Sequence, residues 1–246
     1  MTRLADLKVK IFADGADYDG IVKMAKNPLI KGFTTNPSLM RKAGVADYES
    51  FARKVIAAVP DRPISFEVFA DDFASMAEQA RTIASWGRNV NVKIPITNTK
   101  GQSSAELIRA LSAEGVSLNV TAIFTLDQVR TVADALDKTT PGIVSVFAGR
   151  IADTGMDPIP HMLACKQILR ERPQAQLLWA STRELLNIFH AEESNCDIVT
   201  VPNEFLNKLD LIGKDLIEYS RDTVQMFYRD ASSAGYQIAT KRVAAE

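Results

Sequence analysis

Lys93 stands in the run Val90-Asn91-Val92-Lys93-Ile94-Pro95, whose alternation of apolar and polar residues reads as a short strand. Helix-like segments flank it on both sides, the setting of a parallel sheet with two buried faces. A lysine is rarely buried in such a strand without a partner or a purpose. It reaches solvent at the strand end, pairs with an acid, or does chemistry. Desolvation favours the neutral amine, the nucleophile that a Schiff base with a carbonyl requires. Schiff-base chemistry also needs proton transfers, for which Asp14 and Glu67 are the carboxylates at hand. The same carboxylates could instead hold Lys93 as a structural ion pair.

Eight strand-like runs are expected to position these groups: 9–13, 32–35, 64–69, 90–94, 117–123, 143–147, 177–180 and 197–201. Their starts lie roughly 20 to 35 residues apart, the spacing of repeated strand–helix units. The stretches between them have helical period, with stripes at Tyr48/Phe51/Val55/Ala58/Val59, Ala105/Leu107/Ile108/Leu111 and Leu126/Val129/Val132/Ala133/Leu136. Asp157-Pro158 reads as a helix start and Thr125 as the head of a capping box. The expected fold is α/β: a (β/α)8 TIM barrel with an additional C-terminal helix, a doubly wound open sheet being the alternative. Nothing resembling a linker divides the chain, so residues 1–246 read as one domain with a helical extension over about 212–246. There Leu216, Tyr219, Thr223 and Phe227 form a stripe expected to close over the barrel or to pack on a neighbouring subunit.

Alternation along each strand sorts the polar residues onto one face. The first strand ends at Asp14. The second carries Thr34 and Asn36, and the third Ser65, Glu67 and Phe69. The fourth carries Lys93, the fifth Asn119 and Thr121, and the sixth Ser145 and Phe147. The seventh carries Trp179, Ser181 and, just beyond, Arg183. One buried polar residue is commonly a satisfied structural group, but a whole ring is costly unless it is used. Its members crowd toward the C-terminal strand ends, where barrel active sites form. Asn36, Asn119, Thr121 and Ser145 could bind a hydroxyl-rich substrate, and Arg150, Ser181 and Arg183 an anion such as phosphate.

Composition narrows the classes. A formal net charge of -1 gives no electrostatic case for nucleic acid or an anionic membrane. Apolar runs fall short of a membrane span, and the first residues lack the core of a signal peptide. Cys165 and Cys196 are far apart in sequence and read as reduced packing thiols of a cytoplasmic protein. With His161 and His190 the only histidines, a histidine-rich metal site is hard to build.

Gly32-Phe33-Thr34-Thr35-Asn36-Pro37-Ser38 resembles the signature of the transaldolase family, and Val92-Lys93-Ile94-Pro95 resembles its Schiff-base strand. Asn119-Val120-Thr121, Ser145-Val146-Phe147-Ala148-Gly149-Arg150 and Ala180-Ser181-Thr182-Arg183 follow in the family's order. The chain is similar to the smaller branch, which includes fructose-6-phosphate aldolases. The resemblance implies a class I aldol mechanism without cofactor or metal. Lys93 would attack a ketose phosphate, Asp14 would take the C4 hydroxyl proton, and Glu67 with Thr121 would hold a proton-relaying water. Asn36, Asn119 and Ser145 would hold the retained three-carbon unit, and Arg150, Ser181 and Arg183 the phosphate. It also implies a homo-oligomer acting on sugar phosphates. Aldolases of this branch tend to have glutamine at the Glu67 position and tyrosine at the Phe147 position, so this chain's residues favour transfer over release of free dihydroxyacetone. Thr182, Phe69 and Trp179 depart from the family pattern and bear on the choice of sugar and anion, a sulfonate included. A non-catalytic sugar-phosphate-binding barrel, with Lys93 and Glu67 locked together, is the reading from another class.

Overall fold

Strands of β-branched and apolar residues alternate with capped amphipathic helices throughout the computed structural model, which describes residues 4–239. In order these are β1 (Lys10–Asp14), α1 (Tyr18–Ala25), β2 (Ile30–Thr34), α2 (Pro37–Lys42), α3 (Tyr48–Ala58), β3 (Ile64–Glu67), α4 (Phe73–Ala84) and β4 (Val90–Pro95). There follow α5 (Ala105–Ala113), β5 (Leu118–Ile123), α6 (Leu126–Ala135), β6 (Gly142–Val146), α7 (Ala148–Asp153), α8 (Pro158–Ile168), β7 (Ala175–Trp179), α9 (Leu186–Glu193), β8 (Ile198–Pro202) and α10 (Asn203–Leu206). The strands pair in sequence order, all parallel, and β1 closes on β8. This is the (β/α)8 barrel expected from the spacing.

Local chemistry sets the helix starts. The Asp17, Asp47 and Asp72 carboxylates each accept from a backbone N–H of the helix they begin. Thr125 and Gln128 form the reciprocal capping box of α6, and Asp157 caps α8 with Pro158 in its first turn. Helix stripes are buried against the sheet: Ala52 and Val55 in α3, Leu107, Ile108 and Leu111 in α5, Val129, Val132 and Ala133 in α6. The barrel interior is filled toward its base by Phe12, Ile143, Leu178 and Ile198. Gly32 belongs to that layer. A Cβ there would lie 2.5 Å from the Phe12 ring, so the aromatic side chain fills the space that any larger residue would need. Cys165 and Cys196 are free and buried, and burial pushes the Cys165 thiol up to about 12.

Two strands differ from expectation. β3 stops at Glu67, so Phe69 lies past the strand and packs on Tyr48 in a tilted arrangement with ring centroids 4.5 Å apart. In β7 the inward residues are Leu178 and Ala180, whereas Trp179 is fully buried with its ring facing His190 of α9. A strand apolar on both faces carries no alternation from which to choose the inner one.

Of the described residues, 4–207 form one compact unit and 208–239 another. The second holds a further helix, α11 (Leu216–Ser233), capped by Asp215, with Lys214 just before it paired to Asp222 within it. Among the described residues no helix is long and apolar enough to cross a membrane.

Candidate active site

Register builds the site before any side chain is considered. β3, β4 and β5 pair so that Glu67, Lys93 and Asn119 stand level, and β1 and β2 pair Asp14 with Thr34. Asp14, Thr34 and Glu67 end their strands and Lys93 lies two residues before the end of β4, where the barrel opens, while Asn119 is the second residue of β5.

Lys93 is 7% exposed. Its Nζ lies 3.0 Å from Glu67 Oε2 and donates to the Thr35 carbonyl at 2.9 Å. An ammonium has three N–H bonds, so one direction remains for the cavity. The Lys93–Glu67 pair is the contact that both the catalytic and the structural readings of these residues require.

Asp14 accepts from Thr34 Oγ1 at 2.8 Å, and the Thr34 hydroxyl also meets that of Thr200 on β8. With its hydrogen given to Asp14, Thr34 can accept from Thr200. Burial pushes the Asp14 carboxyl above its usual value. Lys93 and the Thr34 hydrogen bond oppose the rise, and the Glu67 charge adds to it. A second chain runs across the opposite wall: Ser145 Oγ donates to Asn119 Oδ1 at 2.7 Å, and Asn119 Nδ2 donates to Ser65 Oγ at 3.0 Å. Thr121 Oγ1 is buried without a hydrogen-bond partner among the described residues. Asn36 caps α2 by accepting from the Leu39 N–H at 2.9 Å, which leaves its Nδ2 as the group it can offer to a ligand.

The residues expected from sequence to receive an anion are carried by the turn from β6 into α7 and by the segment after β7. Phe147 packs on Phe124 at 5.7 Å, and the Arg150 guanidinium lies over the Phe147 ring at 5.1 Å. Ser181 adopts a left-handed conformation, φ 64°. That turn breaks strand alternation and brings its hydroxyl to the cavity, although the preceding Ala180 also faces inward. It also drives the Ser181 carbonyl against Gly149, where a Cβ would sit 1.6 Å from the oxygen. Only glycine fits there.

One cavity of about 100 Å³ is lined by Asp14, Thr34, Asn36, Lys93, Asn119, Thr121, Ser145, Phe147, Arg150 and Ser181, together with Leu178, Ala180 and Thr200. Of the remaining sequence-expected residues, Glu67 touches this set through Lys93. Arg183 stands outside the lining, its guanidinium bound to Asp153 and to the Ser181 hydroxyl. Trp179 and Phe69 do not line it either. A larger cavity, about 790 Å³, opens between α3 and α4 around Tyr48 and Trp86 and shares only Glu67 with the Lys93 neighbourhood. Size therefore does not locate the chemistry. Thr200 was not anticipated from sequence, although it is the inward polar residue of Ile198-Val199-Thr200-Val201 and alternation points to it. Among the described residues, no three His, Cys, Asp or Glu side chains are grouped to hold a metal ion.

Comparison with known proteins adds an independent line. Residues 11–246 match the family model described as Transaldolase/Fructose-6-phosphate aldolase. The chain is 36% identical over 202 residues to a protein of Dehalococcoides mccartyi named probable transaldolase, covering 82% of this chain and 90% of that one. It is 33% identical to a Listeria monocytogenes protein named probable transaldolase 2, covering 82% and 88%. Among solved structures, KGPDC from Streptococcus mutans superposes with a TM-score of 0.56 at 10% identity, covering 84% of this chain and 99% of that one, a likeness of fold alone.

Proposed function

The chain belongs to the transaldolase/fructose-6-phosphate aldolase family, its function is of the transaldolase type, and on that premise we propose a lysine Schiff-base mechanism centred on Lys93. In this reading the enzyme moves a dihydroxyacetone unit from a ketose phosphate, such as fructose 6-phosphate or sedoheptulose 7-phosphate, to an aldose phosphate. The observation that carries it is a buried lysine amine 3.0 Å from one carboxylate, in the same cavity as a second carboxylate and a ring of hydroxyl and amide groups.

The steps assign work to particular atoms. Lys93 Nζ must shed a proton to attack the C2 carbonyl, and Glu67 is within hydrogen-bonding reach to take it. Loss of water from the carbinolamine needs a proton at the departing oxygen. Glu67 and the unpartnered Thr121 hydroxyl are suited to hold a water for that transfer. Asp14 takes the C4 hydroxyl proton as the C3–C4 bond breaks. The aldose phosphate leaves, and the three remaining carbons stay on Lys93 as an enamine. A second aldehyde accepts the enamine carbon at C3, and hydrolysis frees the new ketose. The Ser145–Asn119–Ser65 chain and Asn36 Nδ2 address the hydroxyls of the retained unit. Arg150 and Ser181, with Arg183 behind them, address the phosphate. Glu67 and Phe147 support transfer over release of free dihydroxyacetone, because Phe147 brings no hydroxyl to protonate the enamine.

The Lys93–Glu67 contact is also what a non-catalytic sugar-phosphate barrel would contain, and trapping separates the two. Borohydride with fructose 6-phosphate should leave a reduced three-carbon adduct on the peptide bearing Lys93, absent in Lys93→Met. No adduct with either ketose phosphate, in a folded protein that still binds sugar phosphates, would give the site to the binding reading. Without borohydride, erythrose 4-phosphate should accept the three-carbon unit from Lys93 and give sedoheptulose 7-phosphate. A cytoplasmic location and a homo-oligomeric state belong to the same proposal. The two free, buried thiols support the first, and the exposed Leu216, Ile217, Phe227 and Tyr228 of α11 support the second.

A further inference from the structure

Asp153 ends α7, three positions after Arg150, and its carboxylate reaches across to the segment after β7. Its two oxygens lie 2.9 and 3.1 Å from Arg183 Nε, and one of them also accepts from Nη2. Only one edge of the guanidinium is engaged in this way. The other nitrogen, Nη1, donates to Ser181 Oγ at 3.1 Å. A planar fork held along one edge has its opposite edge fixed in direction. Here that direction is the hydroxyl at the anion end of the cavity.

The backbone supports the same arrangement. The Ala180 N–H donates to the Val146 carbonyl at 2.8 Å and the Gly149 N–H to the Ala180 carbonyl at 3.3 Å, while the Ser181 carbonyl fills the space beside Gly149. The turn carrying Arg150 and the turn carrying Ser181 are thus joined at two levels, by main chain beneath and by Asp153–Arg183 above. Charge gives a second reason for the carboxylate. Arg150 in the cavity lining and Arg183 behind Ser181 carry like charges, which repel in the absence of an anion. Asp153 feels both, chiefly Arg183 and to a smaller degree Arg150, and is held below the usual carboxylate range.

We propose that Asp153 is a positioning residue for the anion end of the cavity: it orients Arg183 toward Ser181, offsets the repulsion between Arg183 and Arg150, and so sets the preference for substrates ending in a phosphate. This rests on the reading above that Arg150, Ser181 and Arg183 receive the phosphate. Asp153 touches neither the reacting carbons nor Lys93. Its loss therefore acts on binding of the anionic end and leaves the bond-breaking steps alone.

The test compares wild type, Asp153→Asn and Asp153→Ala with two donors, fructose 6-phosphate and unphosphorylated fructose, and erythrose as the common acceptor. One displaced charge-assisted contact corresponds to about a 10-fold change. Asp153→Ala should raise KM for fructose 6-phosphate by about that factor, with kcat within about threefold and kcat/KM for fructose unchanged. Asp153→Asn, which keeps a hydrogen-bond acceptor, should fall between. Calorimetric titration with inorganic phosphate supplies a readout free of turnover, and its Kd should weaken in parallel. A wild type that binds phosphate but turns over neither donor overturns the functional reading while the phosphate titration still decides the role of Asp153. Equal losses for the two donors, or phosphate bound by Asp153→Ala as tightly as by wild type, overturn the proposal, as does a wild type that does not bind phosphate.

Discussion

At Asp14, stability and chemistry pull in opposite directions. Burial lifts its carboxyl above the reference value of 3.8, against the opposing pull of Lys93 and Thr34. A general base acts ionised, so the acidic limb of kcat/KM should fall above the ordinary aspartate range. A limb at or below 3.8 would remove Asp14 from that role. The same shift has a definite sign for folding. The folded state binds this proton more tightly than the unfolded chain does. The stabilisation is therefore present at acid pH and is lost as pH rises through the folded-state pKa. Asp14→Asn should thus melt at a higher temperature than wild type at neutral pH, while turning over roughly 10²- to 10⁴-fold more slowly. Differential scanning calorimetry and steady-state rates on one preparation check both halves. A variant that is slower and also less stable would show that Asp14 is held mainly for the fold.

At the scale of elements, the junction of α7 with the end of β7 is where the architecture is least tolerant. Gly149→Ala would set a methyl group 1.6 Å from the Ser181 carbonyl oxygen, and neither backbone can yield without parting the two turns. Overpacking of this kind costs about 1–3 kcal/mol. Urea denaturation should show a loss in that range, with phosphate affinity lowered alongside. Unchanged stability would mean that the turns can separate freely. This junction was also the hardest part to read from sequence. Strands such as β4 and β5 announced themselves because a polar residue in a doubly buried strand is an exception, and Lys93, Asn119 and Thr121 occur at alternate positions. β7 has no such exception from Leu177 to Ala180, so Trp179 was assigned inward although Leu178 and Ala180 hold that face. Ser181 reaches the site through a left-handed turn, and Asp153 meets Arg183 across 30 residues. Neither relation is written in any local period. The capping box at Thr125 and the Asp157-Pro158 start were legible because both are complete within one helical turn.

For the molecule as a whole, the spacing of strand–helix units was enough to anticipate the barrel, since eight such units have few other ways to bury both faces of every strand. Composition could not reveal assembly. α11 has no buried residue, and it exposes Leu216, Ile217, Val224, Phe227 and Tyr228. Sedimentation is expected to give a homo-oligomer, and Phe227→Glu with Tyr228→Glu to shift it toward monomer; a wild type that sediments as a monomer would end that reading. The hydroxyl pair Thr34–Thr200 has a consequence in time as well as in space. Its members are 166 residues apart, one on the second strand and one on the last. During synthesis Asp14 and Thr34 leave the ribosome early, but Thr200, which meets the Thr34 hydroxyl, arrives only when β8 joins β1. The Asp14 carboxylate thus acquires its final surroundings at the moment the cylinder shuts. In refolding, activity should appear in the same kinetic phase as β1–β8 pairing and in no earlier one.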